Sequence, residues 1–303
     1  MRYRSEIFMV AILLVLSMVC ASPSRAQGPM QVAVSIVPQK YFVEKIGGPL
    51  VQVEVMVPPG SAPEQYEPKP RQMEAIGRAR LYFACGVPFE TVWLPKIASA
   101  NPHMLVVHTD KDIRKRTMEA HSHHEHGESG KEEHHHHEGE MKDPHVWLSP
   151  PLVMLQARSI FEALWVADPQ NRKEYETNYS KFVGELADLD ASILKILAPS
   201  GEPRPFMVFH PAWGYFAEAY GLKQIPVEVE GKEPRAKDLD AFIKLARRLG
   251  IKTIFVQPEF SPKSARTIAD AVGATVVEAD VLAPDWADNL RRVAGSFAEA
   301  LKH

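Results

Sequence analysis

A chain of 303 residues, 45% hydrophobic and 24% charged, is long enough to bury a large core and to divide into two domains. Its formal net charge of −3, with no basic cluster, excludes the usual electrostatic footprint of a nucleic-acid partner. Two cysteines, Cys20 and Cys85, leave no disulfide framework once the leader containing the first is set aside.

The leader is the first element. Arg2 and Arg4 precede an apolar stretch from Ile7 to Val19, and Ser24-Arg25-Ala26 offers a small-x-small cleavage site before Gln27. This is the layout of a secretory signal peptide over residues 1–26. It predicts a periplasmic mature chain, because roughly 13 apolar residues are short for a retained span. Cleavage removes three Arg and one Glu, so the mature chain is more acidic still. No later segment is long and apolar enough to cross a bilayer.

Short apolar strands then alternate with helical patterns, which predicts βα units and parallel sheets. Strands are expected at Val32 to Val37, over the alternating Val51, Val53, Val55 and Val57, around Phe83 within Leu81 to Cys85, and at Val106-Val107. Cys85 sits in an apolar run, where a buried inert thiol is the expectation. From Glu119 to Lys142 the chain holds eight His, seven Glu and two Lys with almost no large apolar residue. Such a segment cannot offset its ordering entropy by burial, so a mobile loop is expected. Asp168-Pro169 opens a helical stripe through Tyr175, Tyr179, Phe182, Leu186, Leu189, Ile193 and Ile196 that meets no proline before Pro199. This predicts one helix of roughly 29 residues and about 40 Å. A second strand set follows at Phe206 to Phe209, Ile225 to Val229, Thr253 to Val256 and Thr275 to Val277. Between the last strands, a helix through Leu239, Phe242, Ile243, Ala246 and Leu249 ends at Gly250. Another begins at Ser261-Pro262 and ends at Gly273.

The fold class expected is α/β, in two lobes, each a mainly parallel sheet flanked by helices, joined by one long rigid helix. The N-terminal lobe would span 27–150, a helical segment 151–198, and the C-terminal lobe 199–303.

Chemistry-bearing residues gather at strand ends, where open α/β sheets place their ligands. Glu64 lies in Pro58–Pro68 after the second strand, His210 in Phe209-His210-Pro211-Ala212-Trp213 after the fifth, and Asp280 in Glu278-Ala279-Asp280 after the last. His145 stands in Asp143-Pro144-His145-Val146-Trp147 just after the His-rich tract. Within that tract His121, His123, His124, His126, His134, His135, His136 and His137 form an auxiliary set of weak metal ligands, since imidazole suits Zn, Cu and Ni. Gln257 and Glu259 are candidate supporting partners, and Tyr66, Trp147, Trp213 and Tyr215 candidate walls of the cleft.

Five strings, in this order and spacing, resemble the metal-specific solute-binding proteins of ABC transporters, the group of periplasmic zinc- and manganese-uptake components. They are Tyr66-Glu67-Pro68, Gly86 through Glu90 with Trp93, Asp143 to Leu148, Glu233-Pro234 with Ala236 to Leu239, and Phe260-Ser261-Pro262-Lys263. The resemblance spans nearly all of residues 30–303, and the His-rich tract places it on the zinc-binding branch. It implies a metal held between two lobes by His145, His210 and Asp280, and delivery to an ABC transporter membrane permease. The family's first ligand is a His in a Pro-His-x-Tyr-Glu-Pro string. Here Glu64 holds that position in Pro63-Glu64-Gln65-Tyr66-Glu67-Pro68, which leaves a donor set of two His and two carboxylates that still suits Zn²⁺. The harder donor set keeps Mn²⁺ or Fe²⁺ as the alternative cargo. A monomer with no small organic substrate and no enzymatic activity is expected. A zinc-dependent hydrolase is the alternative from another class, with no His-Glu-x-x-His string to support it.

Overall fold

The computed structural model describes residues 28–118, 141–198, 204–228 and 232–302. The leader and all eight histidines of the His-rich tract lie outside the described residues. In chain order the first half runs β1 (Met30–Val34), α1 (Val37–Gly47), β2 (Val51–Val55), α2 (Pro70–Ile76), β3 (Leu81–Ala84), α3 (Pro88–Ala100), β4 (Leu105–His108) and α4 (Pro150–Ala167). The long helix α5 (Arg172–Leu197) follows. The second half runs β5 (Arg204–Val208), α6 (Gly214–Ala219), β6 (Leu222–Pro226), α7 (Ala236–Leu249), β7 (Thr253–Val256), α8 (Lys263–Val272), β8 (Thr275–Glu278) and α9 (Trp286–Ala300).

Each half builds one four-stranded, all-parallel sheet. The strand orders are β2-β1-β3-β4 and β6-β5-β7-β8, the same winding used twice. In both, the order reverses beside the first strand, so the loops leaving the strands part there and open a crevice. The chain reaches these strands through helices that start on proline, as at Pro70, Pro88 and Pro150, where the missing N–H costs nothing. Helices α7 and α8 stop at Gly250 and Gly273, both left-handed, as the sequence predicts.

Several boundaries differ from the sequence expectation. Strand β1 ends at Val34, because Val37-Pro38 opens α1. The strand expected at 225–229 lies earlier, at Leu222–Pro226, where Met207 pairs with Ile225 and the apolar run continues past the ladder. Pro262 caps α8 from outside rather than opening it. The long helix begins with a 3-10 turn at Pro169–Asn171, fastened by Asp168, whose carboxylate accepts from Asn171 and from the Tyr175 hydroxyl. At its other end Leu197, not Ile196, turns inward.

Helix α5 packs on α1 and α4 from the first half and on α9 from the second. One apolar core therefore runs through both sheets: Val34 and Phe83 belong to the same buried cluster as Phe206, Phe255 and Phe297. The Trp286 ring of α9 meets the Phe42 ring of α1 edge-on at 4.9 Å. A side chain of that kind, fully buried, contributes about 1.5–3 kcal/mol from area alone. Among the described residues no helix is long and apolar enough to cross a membrane.

Polar anchoring at the strand ends is as specific. Glu90 is buried, and its carboxylate accepts from Ser35 Oγ at 2.6 Å and from the backbone N–H groups of Cys85 and Gly86, both at 2.8 Å. It ties the exits of β1 and β3 together. Burial, opposed by these bonds, raises its pKa. Gly86 turns the chain here at φ +85°, with Asp110 and Lys115 packed where a Cβ would stand. Burial likewise pushes the Cys85 thiol up, in keeping with an inert buried cysteine.

Candidate metal centre

Glu64, His145 and His210 converge from three separate loops, each offering a ligand atom, and these atoms all lie within 4.8 Å of one another. Glu64 comes from the segment after β2, His145 from the segment between β4 and α4, and His210 from the turn after β5. Both histidines are buried, while Glu64 is exposed at the mouth.

The two imidazoles are held alike. Asp143 Oδ1 accepts the His145 backbone N–H at 2.9 Å and lies 2.8 Å from its Nδ1. Glu228 Oε2 lies 2.9 Å from His210 Nδ1. An ionised carboxylate only accepts, so each Nδ1 is the donor, and in the neutral ring each Nε2 keeps its lone pair toward the cleft. The two Nε2 atoms face one another at 3.4 Å. Two lone pairs at that distance repel unless a cation or a proton lies between them. Nitrogens bound at 2.0–2.1 Å to one tetrahedral ion stand about 3.3–3.4 Å apart, so the spacing already fits zinc.

Charge explains the state of His210. Burial works to lower its pKa, but the hydrogen bond and charge of Glu228, joined by Glu64 and Asp143, raise it above the ordinary value. Its main chain is gripped from both sides by Gln257, whose Oε1 accepts from His210 N and whose Nε2 donates to His210 O. The Phe260 ring stacks on the imidazole at 4.9 Å.

Asp143 is fixed from the second half of the chain. Tyr215 of α6 donates its hydroxyl proton to Asp143 O at 2.9 Å and accepts Arg116 N–H at 2.9 Å. Asp143 N–H in turn bonds Arg116 O, and Thr117 pairs with Lys142 in an antiparallel bridge. Gly214 lies against Asp143, where a Cβ would come within 2.9 Å of Oδ2.

The cavity at the centre is small, about 20 Å³, and is lined by Glu64, His145, Trp147, His210, Glu259 and Phe260 among others. That is room for one ion or water, not for an organic molecule, whose pockets measure about 300–1,000 Å³. Trp147 forms a wall and donates its indole N–H to Val281 O at 2.8 Å. Tyr66, Trp213 and Tyr215 do not line the cavity. A larger groove of about 970 Å³ runs past Arg116, Lys142, Leu194 and Tyr215 and contains none of the predicted ligands.

Asp280 stands differently from the other three predicted ligands. It follows β8, its Oδ1 accepts Leu282 N–H at 2.7 Å, and it is not among the donors within 4.8 Å of one another. Burial raises its pKa, opposed by the Leu282 bond. Glu259, expected only as a supporting partner, lines the cavity, and burial pushes its carboxyl up to about 6 with Asp280, Glu64 and Glu278 acting in the same direction against its own backbone amide. Sequence reasoning does not single out Asp143 or Glu228 as supports. Asp143 carries a signal, two residues before His145 in the same string, whereas Glu228 carries none.

The sequence matches the family model for the periplasmic zinc-uptake complex component A over residues 32–300. It is 30% identical over 280 residues to the high-affinity zinc uptake system protein ZnuA of Bacillus subtilis, covering 89% of this chain and 86% of that protein. It is 27% identical over 278 residues to the zinc-binding protein AdcA of Streptococcus pyogenes, covering 86% of this chain and 51% of AdcA, so the chain spans about half of that relative. Among solved structures, a crystal structure of ZnuA superposes with a TM-score of 0.81 at 42% identity, covering 90% of this chain and all of that one (100%). A zinc-bound ZnuA deletion mutant superposes with a TM-score of 0.80 at 41% identity, covering 91% and 99%.

Proposed function

The chain belongs to the family of periplasmic zinc-uptake complex component A proteins, and from that membership we propose that it captures zinc in the cleft between its two sheets and delivers it to an ABC-type membrane permease. It is a carrier, not an enzyme. The observation that supports zinc most directly is the 3.4 Å separation of the two Nε2 atoms, each imidazole held by a buried carboxylate. Glu64 adds an anionic oxygen at the mouth, and a carboxylate from the opposite wall completes four donors; the sequence expectation names Asp280 for that place. Two neutral imidazoles and two carboxylates neutralise a divalent ion in a partly dry site. Manganese, the alternative cargo, prefers more oxygen donors than this cleft offers. The mature chain works as a periplasmic monomer after removal of residues 1–26, and the tract at 119–142 supplies weak auxiliary metal sites.

Competitive titration of the metal-free mature chain with zinc and manganese tests this, with wild type beside Glu64→Ala. One tight zinc site that outcompetes manganese and weakens in the variant is the expected outcome. A preference for manganese would keep the carrier and overturn the cargo. The absence of a tight site would overturn both.

A further inference from the structure

Three convergent donors leave a tetrahedral ion one position short, and two carboxylates of the second half, Asp280 and Glu259, are candidates for it. Asp280 has one oxygen engaged with Leu282 N–H, its carbonyl is held by Asn289 Nδ2 at 2.6 Å, and it does not line the cavity. Glu259 is, like Asp280, not among the donors within 4.8 Å of one another, but it lines the cavity together with Glu64, His145 and His210. Its Oε2 is enclosed by protein and has no hydrogen-bond partner among the described residues. An enclosed carboxylate oxygen without a donor is the kind of group that a cation answers.

The segment carrying Glu259 is also built onto the site. Gln257 holds the His210 backbone through two hydrogen bonds, Phe260 N–H closes a turn onto Gln257 O at 3.2 Å, and the Phe260 ring stacks on the His210 imidazole. Glu259 lies inside that turn, so the contacts that place His210 place it as well. Resting on the metal-capture reading above, we propose that Glu259 supplies the fourth donor to the captured ion, with Asp280 remaining outside the coordination shell. The donor set is then Glu64 and Glu259 with His145 and His210. Its two carboxylates come from opposite halves of the chain, and either half alone holds one histidine and one carboxylate.

The test uses the metal-free full mature chain, with zinc chloride titrated against a chromophoric chelator and the visible d–d bands of added cobalt(II) as a readout of coordination. Glu259→Gln should weaken zinc binding at least tenfold and displace the cobalt bands, while Asp280→Asn should move the bands less than Glu259→Gln does. Cobalt bands unchanged in Glu259→Gln would overturn the proposal whatever happens to affinity, because the carboxylate would then act through its charge alone. Bands displaced mainly by Asp280→Asn would overturn it in favour of Asp280. His210→Ala serves as the separate check: binding that survives it would sink the metal-capture reading itself, a result distinct from either of the others.

Discussion

Replacing Glu228 by Gln separates two jobs that the carboxylate performs for His210. The side chain is almost fully enclosed, and its Oε2 meets His210 Nδ1 at 2.9 Å. Gln keeps the shape and an acceptor but removes the charge. Loss of such a support behind a ligating histidine costs about 10–100-fold in metal affinity, or about 1.4–2.7 kcal/mol. The same charge, however, is what lifts the His210 pKa against its burial. Without it burial dominates, the imidazole releases its proton more readily, and protons compete less with the metal. The variant should therefore bind zinc about 10–100-fold more weakly at pH 8, and the deficit should narrow as the pH falls toward 6. Chelator competition at a series of pH values measures both quantities. A deficit that stays constant or grows toward low pH would refute the reasoning, as would no deficit at pH 8.

Three further outcomes follow from the same geometry. In the wild type, His210 has a raised pKa, so the stabilisation from its charged form is fully present below the ordinary value of about 6.5 and is lost as the pH rises through the raised one. Zinc needs the neutral ring, so the zinc-induced rise in melting temperature should grow with pH across that window; a shift independent of pH would contradict it. Gly214→Ala sets a Cβ 2.9 Å from Asp143 Oδ2, so the carboxylate must move from beneath His145 and zinc affinity should drop several-fold, measured by the same competition. Tyr215→Phe leaves Arg116 N–H and Asp143 O without their shared partner, and urea unfolding should register a loss of about 1–3 kcal/mol.

Much of the fold is legible in the sequence because local chemistry decides it. Gly250 and Gly273 end helices where the apolar stripe ends, and Thr253 to Val256 is a strand because four apolar or β-branched residues lie between a glycine-closed helix and a proline turn. Where two local signals compete, as at Val37-Pro38, the helix start wins over the strand's apolar run. The ligands at strand ends are legible because parallel sheets put their exits on one edge. What is not legible depends on partners distant in sequence. Glu228 meets His210 across 18 residues, and nothing in its neighbours marks it. The relative standing of Asp280 and Glu259 depends on which of two adjacent loops turns its carboxylate inward, which a linear string does not carry.

The core that runs unbroken from Val34 and Phe83 to Phe206 and Phe297 has a consequence for how the molecule melts. Trp286 donates its indole N–H to Trp147 O, and Trp147 donates to Val281 O, so the metal cleft is stitched to that core on both sides. Two sheets of identical winding suggest two independent folding units, and a second buried cluster does lie within the second half alone, but the larger cluster is shared by both halves. Calorimetry should find a single cooperative unit, with van't Hoff and calorimetric enthalpies in agreement. Cargo bound at the seam should then slow amide exchange in strands of both sheets together, so that an ion touching a handful of side chains is registered by the whole chain.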